Sequence, residues 1–227
     1  MAYHRMTHLL SIALVATAAA GCGPSATARF YTLNSTATAQ GVPATSYAVA
    51  VGPVSVPGDV DRPQFVVQAA QNRVALQEFD RLAAPLDEAI ARVVAGDLAV
   101  LLGTTQVATV PLPPGFTPAY QVTIDVQRFE SVPGKGVVVD AVWVVRRSAG
   151  GDPRMGRTVA SDAAGGEGFD ALAAAHSRAL AKVSGDVAAA IRAAAAEKPL
   201  DTDSTPTGKD EKQRAGARST EEGRRKK

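Results

Sequence analysis

The stretch that decides the fold runs from Tyr47 to Leu102 and opens with YAVAVGPVSVP, residues 47–57. This opening run is apolar and rich in valine, which predicts a buried β-strand that proline ends. Gly52-Pro53 in its middle predicts a bend or a bulge, because proline has no N–H to give to a strand ladder. The stretch therefore begins with a strand that belongs to the core of a domain.

A hairpin and a helix complete the stretch. Residues 64–68 and 73–79 predict two short strands, separated by a polar turn. The helix begins near Pro85, where the missing N–H costs nothing, and ends at Gly103, which can adopt the left-handed conformation. Its apolar side chains recur at helical spacing and predict one buried stripe. The stripe consists of Leu86, Ile90, Val93, Val94, Leu98, Leu101 and Leu102.

The rest of the chain adds strands and a second helix. Residues 120–127 alternate with the period of a half-buried strand, and residues 137–146 return as an antiparallel strand with Trp143 on its core face. Residues 29–33 predict a short first strand, the alternative being a loop whose aromatic side chains pack on the domain. Residues 169–192 carry a second apolar stripe. These elements predict an α/β fold in which a mixed β-sheet packs with two long amphipathic helices.

The composition argues against several classes of function. The 227 residues contain 24 Lys and Arg against 22 Asp and Glu, an excess too small to indicate nucleic-acid binding. The chain has one Cys and three His, and His4 and His8 lie in the amino-terminal segment. The remaining His and the Cys are too few for a zinc site built from these ligands. We therefore predict no metal ion, no cofactor and no catalytic residue.

His176 is the one histidine in the body of the chain, on the apolar stripe of the second helix or at its margin. We interpret it as a hydrogen-bonded structural histidine. The alternative is a periplasmic hydrolase, in which a Ser–His–Asp triad would depend on this residue alone.

The first 21 residues have the layout of a signal peptide, with Arg5 before an apolar run from Leu9 to Ala20. That run is shorter than the roughly 20 apolar residues that span a bilayer. Ala19, Ala20 and Gly21 precede Cys22 in the manner of a bacterial lipobox, which predicts that Cys22 is the site of lipid attachment. The alternative is ordinary cleavage after an Ala-x-Ala site, with Cys22 incidental. Gly23 in place of Asp favours the outer membrane by the enterobacterial sorting rule.

The chain is expected to divide into four parts. Residues 1–21 are the signal peptide, and residues 22–45 are a lipidated tether that contains the short first strand. Residues 46–196 form the domain. Residues 197–227 are a disordered charged tail, because they contain too few apolar residues to fold. The alternative for this tail is a weak electrostatic contact with anionic lipid or with an acidic partner.

Four pieces of the central stretch resemble the signature of the PqiC-type lipoproteins, the auxiliary lipoproteins of ABC-type and MCE (mammalian cell entry) lipid-transport systems. The pieces are Val51–Pro57, Asp61–Gln64, Val66-Val67, and Arg81 leading to Pro85-Leu86. The resemblance extends from about Phe30 to Ile191. It implies a fold similar to the amino-terminal domain of TolB, a docking partner that is an MCE-domain protein, and self-association into a homo-oligomeric ring.

The sequence and the resemblance together predict a non-enzymatic accessory subunit, anchored by acylated Cys22 to the outer membrane of the cell envelope and facing the periplasm. Its partners would be an MCE-domain protein and the lipid bilayer, and not nucleic acid. The alternative is a lipid-binding lipoprotein that itself carries a lipid in an enclosed cavity. The residues of the family motif, which are candidates for contact with the partner, are Gly52, Pro53, Pro57, Asp61, Arg62 and Pro63.

Overall fold

The computed structural model describes residues 26–39, 41 and 43–197. The predicted signal peptide, the lipobox with Cys22, and residues 198–227 of the predicted tail lie outside these ranges. The elements in chain order are β1 (Arg29–Tyr31), β2 (Val49–Ser55), β3 (Gln64–Ala70), β4 (Arg73–Leu82), α1 (Leu86–Leu102), β5 (Val107–Thr109), β6 (Tyr120–Val132), β7 (Gly136–Arg147), β8 (Arg154–Ala163) and α2 (Gly168–Ala196).

The strands form two mixed sheets. The larger sheet has the order β5-β2-β6-β7-β8, with β2 parallel to both neighbours and β6, β7 and β8 antiparallel. The smaller sheet has the order β1-β4-β3. The predicted mixed α/β fold with two helices is confirmed, but the single predicted sheet is in fact two. The chain leaves the larger sheet after β2, and the β3–β4 hairpin pairs with β1 instead of returning to it.

Strand β2 shows why the opening stretch is central to the fold. Val49, Ala50 and Val51 are almost fully buried between neighbouring strands and α1. Gly52 has φ +117°, the Gly52–Pro53 peptide is cis, and the register with β6 shifts between Val51 and Val54. The irregularity predicted at this dipeptide is confirmed.

The two helices cover one face of the larger sheet. Helix α1 packs on β2 and β5, α2 packs on β7 and β8, and the helices contact each other. All seven residues of the predicted α1 stripe are buried, and Gly103 ends the helix with φ +63°. Helix α2 is longer at both ends than the predicted 169–192. Alanines such as Ala175 and Ala179 are fully buried on it, and their small side chains allow close approach to the sheet.

Asp97 of α1 binds the segment that follows β1 to both helices. Its carboxylate is fully buried, and Oδ1 accepts hydrogen bonds from Ser35 Oγ at 2.7 Å and from the N–H groups of Thr36 and Ala37 at 3.0 Å each. Ser184 Oγ of α2 donates to Oδ2 at 2.9 Å. The structure therefore places part of the predicted tether, from β1 to Ala37, on the folded domain, upstream of the expected boundary at residue 46.

Trp143 has the predicted core position. It is buried with Val137, Val139, Ala141 and Val145 on the face of β7 that α2 covers. Its Nε1–H donates to Thr158 Oγ1 at 3.0 Å, so the polar atom of the indole is satisfied. Gly156 is its partner on β8, and a Cβ built at Gly156 would lie 2.2 Å from Cζ2 of the indole.

We expect Gly156→Ala to destabilise the protein by about 1–3 kcal/mol, the range for overpacking a core. The indole is held by its hydrogen bond and cannot retreat without moving β8. Urea unfolding measures the difference. Gly185→Ala is the matched control, because a Cβ there meets nothing within 4 Å and the position is helical. Equal stabilities of the two variants would contradict this packing.

Candidate functional site

The motif residues lie in and beside the loop that joins β2 to β3. The loop closes on itself, since the N–H groups of Val60 and Asp61 both donate to the Pro57 carbonyl at 3.1 Å. The N–H of Leu82 on β4 donates to the Pro63 carbonyl at 2.8 Å. Val60 is buried and holds the loop on the core. The loop is therefore an ordered feature at one end of the small sheet.

The six motif residues differ in their accessibility. Pro53, Asp61 and Pro63 are exposed, whereas Pro57 and Arg62 are half-buried. Gly52 is buried, and a Cβ there would lie 3.3 Å from Cβ of Val110. The positive φ and this close approach explain why a glycine occupies the bulge. The surface that a partner could contact is thus formed by the loop residues Asp61 to Pro63.

Arg62 is poorly satisfied within the protein. Its Nη2 donates to the Gly58 carbonyl at 3.4 Å, and its buried Nε has no partner among the described residues. In the described ranges no carboxylate forms an ion pair with it. Bracing of the hairpin by an Arg62–carboxylate pair, which the sequence leaves as an alternative, is not found. A guanidinium offers five donors, so Arg62 retains capacity for an external acceptor.

The core beneath the loop is filled. The cavity between the small sheet and α1, lined by Val60, Phe65, Leu86 and Phe129 among others, holds about 10 Å³. A bound ligand of lipid or drug size needs roughly 300–1,000 Å³. Two larger grooves, of about 370 and 330 Å³, are open at the surface; the first runs along the β7–β8 edge and the second beside Tyr31 and Arg92. No described feature favours an enclosed lipid site.

His176 is a structural residue, as predicted. It is fully buried, its Nε2 lies 2.8 Å from Ser131 Oγ, and its ring stacks on Phe129 with centroids 3.7 Å apart. A catalytic triad requires an acid at the second ring nitrogen, but Nδ1 has no partner among the described residues. Burial lowers the pKa of His176 to about 3, so the imidazole is neutral at ordinary pH.

A buried polar group also joins β1 to β4. Arg29 donates to both oxygens of Asp80 at 2.8 and 2.9 Å, and Tyr31 Oη donates to Asp80 Oδ1 at 2.7 Å. The hydrogen bond from Arg29 holds the pKa of Asp80 below its ordinary value despite burial. Burial, followed by the hydrogen bond to Asp80, raises the pKa of Tyr31 to about 12. This group fixes the first strand of the domain.

The sequence analysis does not single out the exposed aromatic residues of the small sheet. Phe30 and Phe79 are 64% and 49% exposed. The signal in the sequence is the alternation of a strand, which turns Phe30 away from the face on which its neighbour Tyr31 is buried.

Other chemistries have little support in the described ranges. No three His, Cys, Asp or Glu side chains lie close enough to hold a metal ion within residues 26–39, 41 and 43–197. No helix of that part of the chain has the length and apolarity needed to cross a membrane.

Comparison with solved structures places the fold. An uncharacterized protein of known crystal structure is 20% identical and matches 73% of this chain and 99% of its own, with a TM-score of 0.59. XCC0632 from Xanthomonas campestris, a DUF330 protein, is 18% identical and matches 74% and 98%, with a TM-score of 0.60. The PelC dodecamer from Paraburkholderia phytofirmans reaches a TM-score of only 0.33, which supports no argument. The comparison with curated proteins gives no match.

The two-helix, two-sheet domain is thus of the class represented by these DUF330 structures. The sequence model for the ABC-type transport auxiliary lipoprotein component matches residues 31–188, which is most of the folded region. The chain belongs to this family, and the PqiC-type resemblance seen in the sequence is confirmed.

We expect the stability conferred by neutral His176 to be lost as the pH falls from about 6.5 toward 3. The unfolded chain binds a proton near pH 6.5, whereas the folded chain binds it only near 3, so stability falls by up to about 1.4 kcal/mol per pH unit. His176→Gln keeps a hydrogen-bonding group for Ser131 and removes this titration. Urea unfolding at pH 7 and pH 5 should therefore show a shallower loss in the variant than in the wild type. Parallel losses would show that His176 does not titrate in this way.

Proposed function

We propose that this chain is a non-enzymatic accessory subunit of an ABC/MCE-type intermembrane lipid-transport system that supports envelope integrity. Acylated Cys22 anchors it in the outer membrane, and the domain faces the periplasm. The observation that carries the proposal is the family match over residues 31–188. The family is described as an auxiliary lipoprotein component of ABC-type transport, so the chain assists a transporter instead of being one.

The filled core supports docking over lipid carriage. A protein that carried a lipid would need an enclosed apolar volume, and the cavity under the motif loop is about 10 Å³. The described part of the chain is consistent instead with a rigid body that offers its surface to another protein. The buried, hydrogen-bonded position of His176 likewise gives a substrate no access to it.

The docking surface in this proposal is the loop from Asp61 to Pro63. Arg62 has unused donors there, and Asp61 and Pro63 are exposed beside it. The matching group on an MCE-domain protein would be a carboxylate or a set of carbonyl oxygens, which accept from a guanidinium. Copies of this chain would form a homo-oligomeric ring around that partner and repeat the contact.

The mechanism is positional. An acylated subunit is confined to a thin layer beside one membrane, which raises its effective concentration for a partner that reaches this layer. Each contact can then be weak, and a ring of copies adds avidity. No bond is made or broken by the subunit itself.

We expect Cys22→Ala to release the chain from the membrane. Cells are labelled with a clickable fatty acid, and the two membranes and the soluble fraction are separated. The wild type should carry label and fractionate with the outer membrane, because two or more acyl chains anchor stably. The variant should be unlabelled and soluble. An unlabelled, soluble wild type would end the proposal of an anchor.

We expect Arg62→Ala to reduce recovery of an MCE-domain protein when the chain is captured from mildly solubilised membranes. Hydrogen bonds to a charged group contribute about 1.5–3 kcal/mol, so recovery should fall by about tenfold or more. Arg73→Ala is the matched control, because Arg73 is an exposed arginine at the start of β4. Capture without any MCE or ABC component, or equal losses in both variants, would count against this docking site.

A further inference from the structure

The small sheet exposes four large apolar side chains. Phe30 is 64% exposed, Val74 50%, Leu76 40% and Phe79 49%. All four lie on β1 and β4, within a sheet of three short strands. Such a concentration of exposed apolar groups on one element marks a surface that another body covers.

The strand register indicates that these side chains share the outer face of the sheet. Tyr31 and Phe65 mark the inner face, since their rings contact each other and that of Phe169 at the start of α2. Arg29 and Tyr31 pair with Asp80 and Leu82, so Phe30 alternates to the outer side.

On β4 a bulge preserves this arrangement. Gln64 pairs with Arg81, but the next residue of β3, Phe65, pairs with Gln77. The extra residues on β4 change the phase of its alternation. Because Gln77 and Asp80 are both on the inner side, Leu76 and Phe79 both turn outward.

The position of Cys22 determines what lies opposite this face. Six residues, 23–28, separate Cys22 from the start of β1. A fully extended chain spans at most about 3.5 Å per residue, so this link reaches no more than about 25 Å. A domain of this size is about 40 Å across. A lipid on Cys22 therefore holds the small sheet, but not the opposite end of the domain, close to the bilayer.

Helix α2 identifies that opposite end. Its start contacts Tyr31 and Phe65 through Phe169, and its 29 residues extend about 43 Å at 1.5 Å per residue. At its far end, Arg147 donates to the Ala194 carbonyl and Arg154 pairs with Glu197. Met155, which is 73% exposed, lies beside Arg154 and is thus remote from the link to Cys22.

We propose that the outer face of the small sheet lies on the lipid bilayer, with Phe30 and Phe79 inserted at the level of the headgroups. This inference rests on the proposed acylation of Cys22 and adds a second, non-covalent membrane contact to it. The three strands carry three arginines against two acids, and Arg29 is already paired with Asp80. The contact is therefore mainly apolar and tolerates both zwitterionic and anionic headgroups.

The test uses the acylated chain reconstituted in phosphatidylcholine vesicles that contain lipids brominated near the headgroup. Phe30→Trp and Phe79→Trp each introduce a fluorescent reporter on the outer face, and Met155→Trp is the control at the remote end. The emission of the native Trp143 is subtracted with the parent protein. We expect bromolipid to quench Trp emission in the first two variants several-fold more strongly than in the control.

Two outcomes overturn the inference. Equal quenching of all three variants would show that the small sheet has no preference for the bilayer. Emission in the Phe30 and Phe79 variants that is shielded from both bromolipid and aqueous acrylamide would show that a second copy of the chain covers the face.

The anchor is checked separately, by mass spectrometry of the same preparation. If Cys22 is not acylated, the proposed function fails at its anchor. The reconstitution is then repeated with the single cysteine of the chain coupled to a maleimide lipid. Strong quenching in this coupled protein would still support the membrane face, and its absence would reject the face independently of the anchor.

Discussion

The buried carboxylate of Asp97 is the interaction on which the arrangement of this domain depends. It gathers four hydrogen bonds from three parts of the chain: the segment after β1, α1 itself and α2. Without these donors the buried carboxylate would be uncompensated, an imbalance that typically costs 3–5 kcal/mol. The same contacts hold the two helices together and hold residues 35–37 against them. Folding of the helix pair and ordering of the amino-terminal segment are therefore coupled.

This coupling determines how the domain is connected to its anchor. A segment that would otherwise be a long flexible link is folded from Arg29 onward, with the Arg29–Asp80–Tyr31 group as its first fixed point. The free link to Cys22 is short as a result, and a short link restricts orientation as well as distance. The small sheet, the motif loop and the start of α2 are consequently at the anchored end. A subunit that acts by position gains from such a restriction, because its partner meets a surface that is already oriented.

Local patterns in the sequence predict most of the elements but not their assembly. The stripe of α1, its end at Gly103 and the bulge at Gly52 follow from helical periodicity and from the backbone of glycine and proline. The division into two sheets does not, because β1 pairs with β4 across about fifty residues and nothing near Arg29 announces Asp80. The contact of Ser35 with Asp97 is equally non-local. At the candidate site, the motif indicates the loop, but the unpaired state of Arg62 appears only when the neighbouring carboxylates are placed.

The filled interior has a consequence for the route that a lipid takes past this subunit. Val60, Phe65 and Phe129 close the space between the small sheet and α1 to about the volume of a single water molecule. An acyl chain has no passage through the domain. Any conduit to which the subunit contributes must therefore run along its exterior, with a wall supplied by another polypeptide, and its width is determined by the assembly and not by this chain alone.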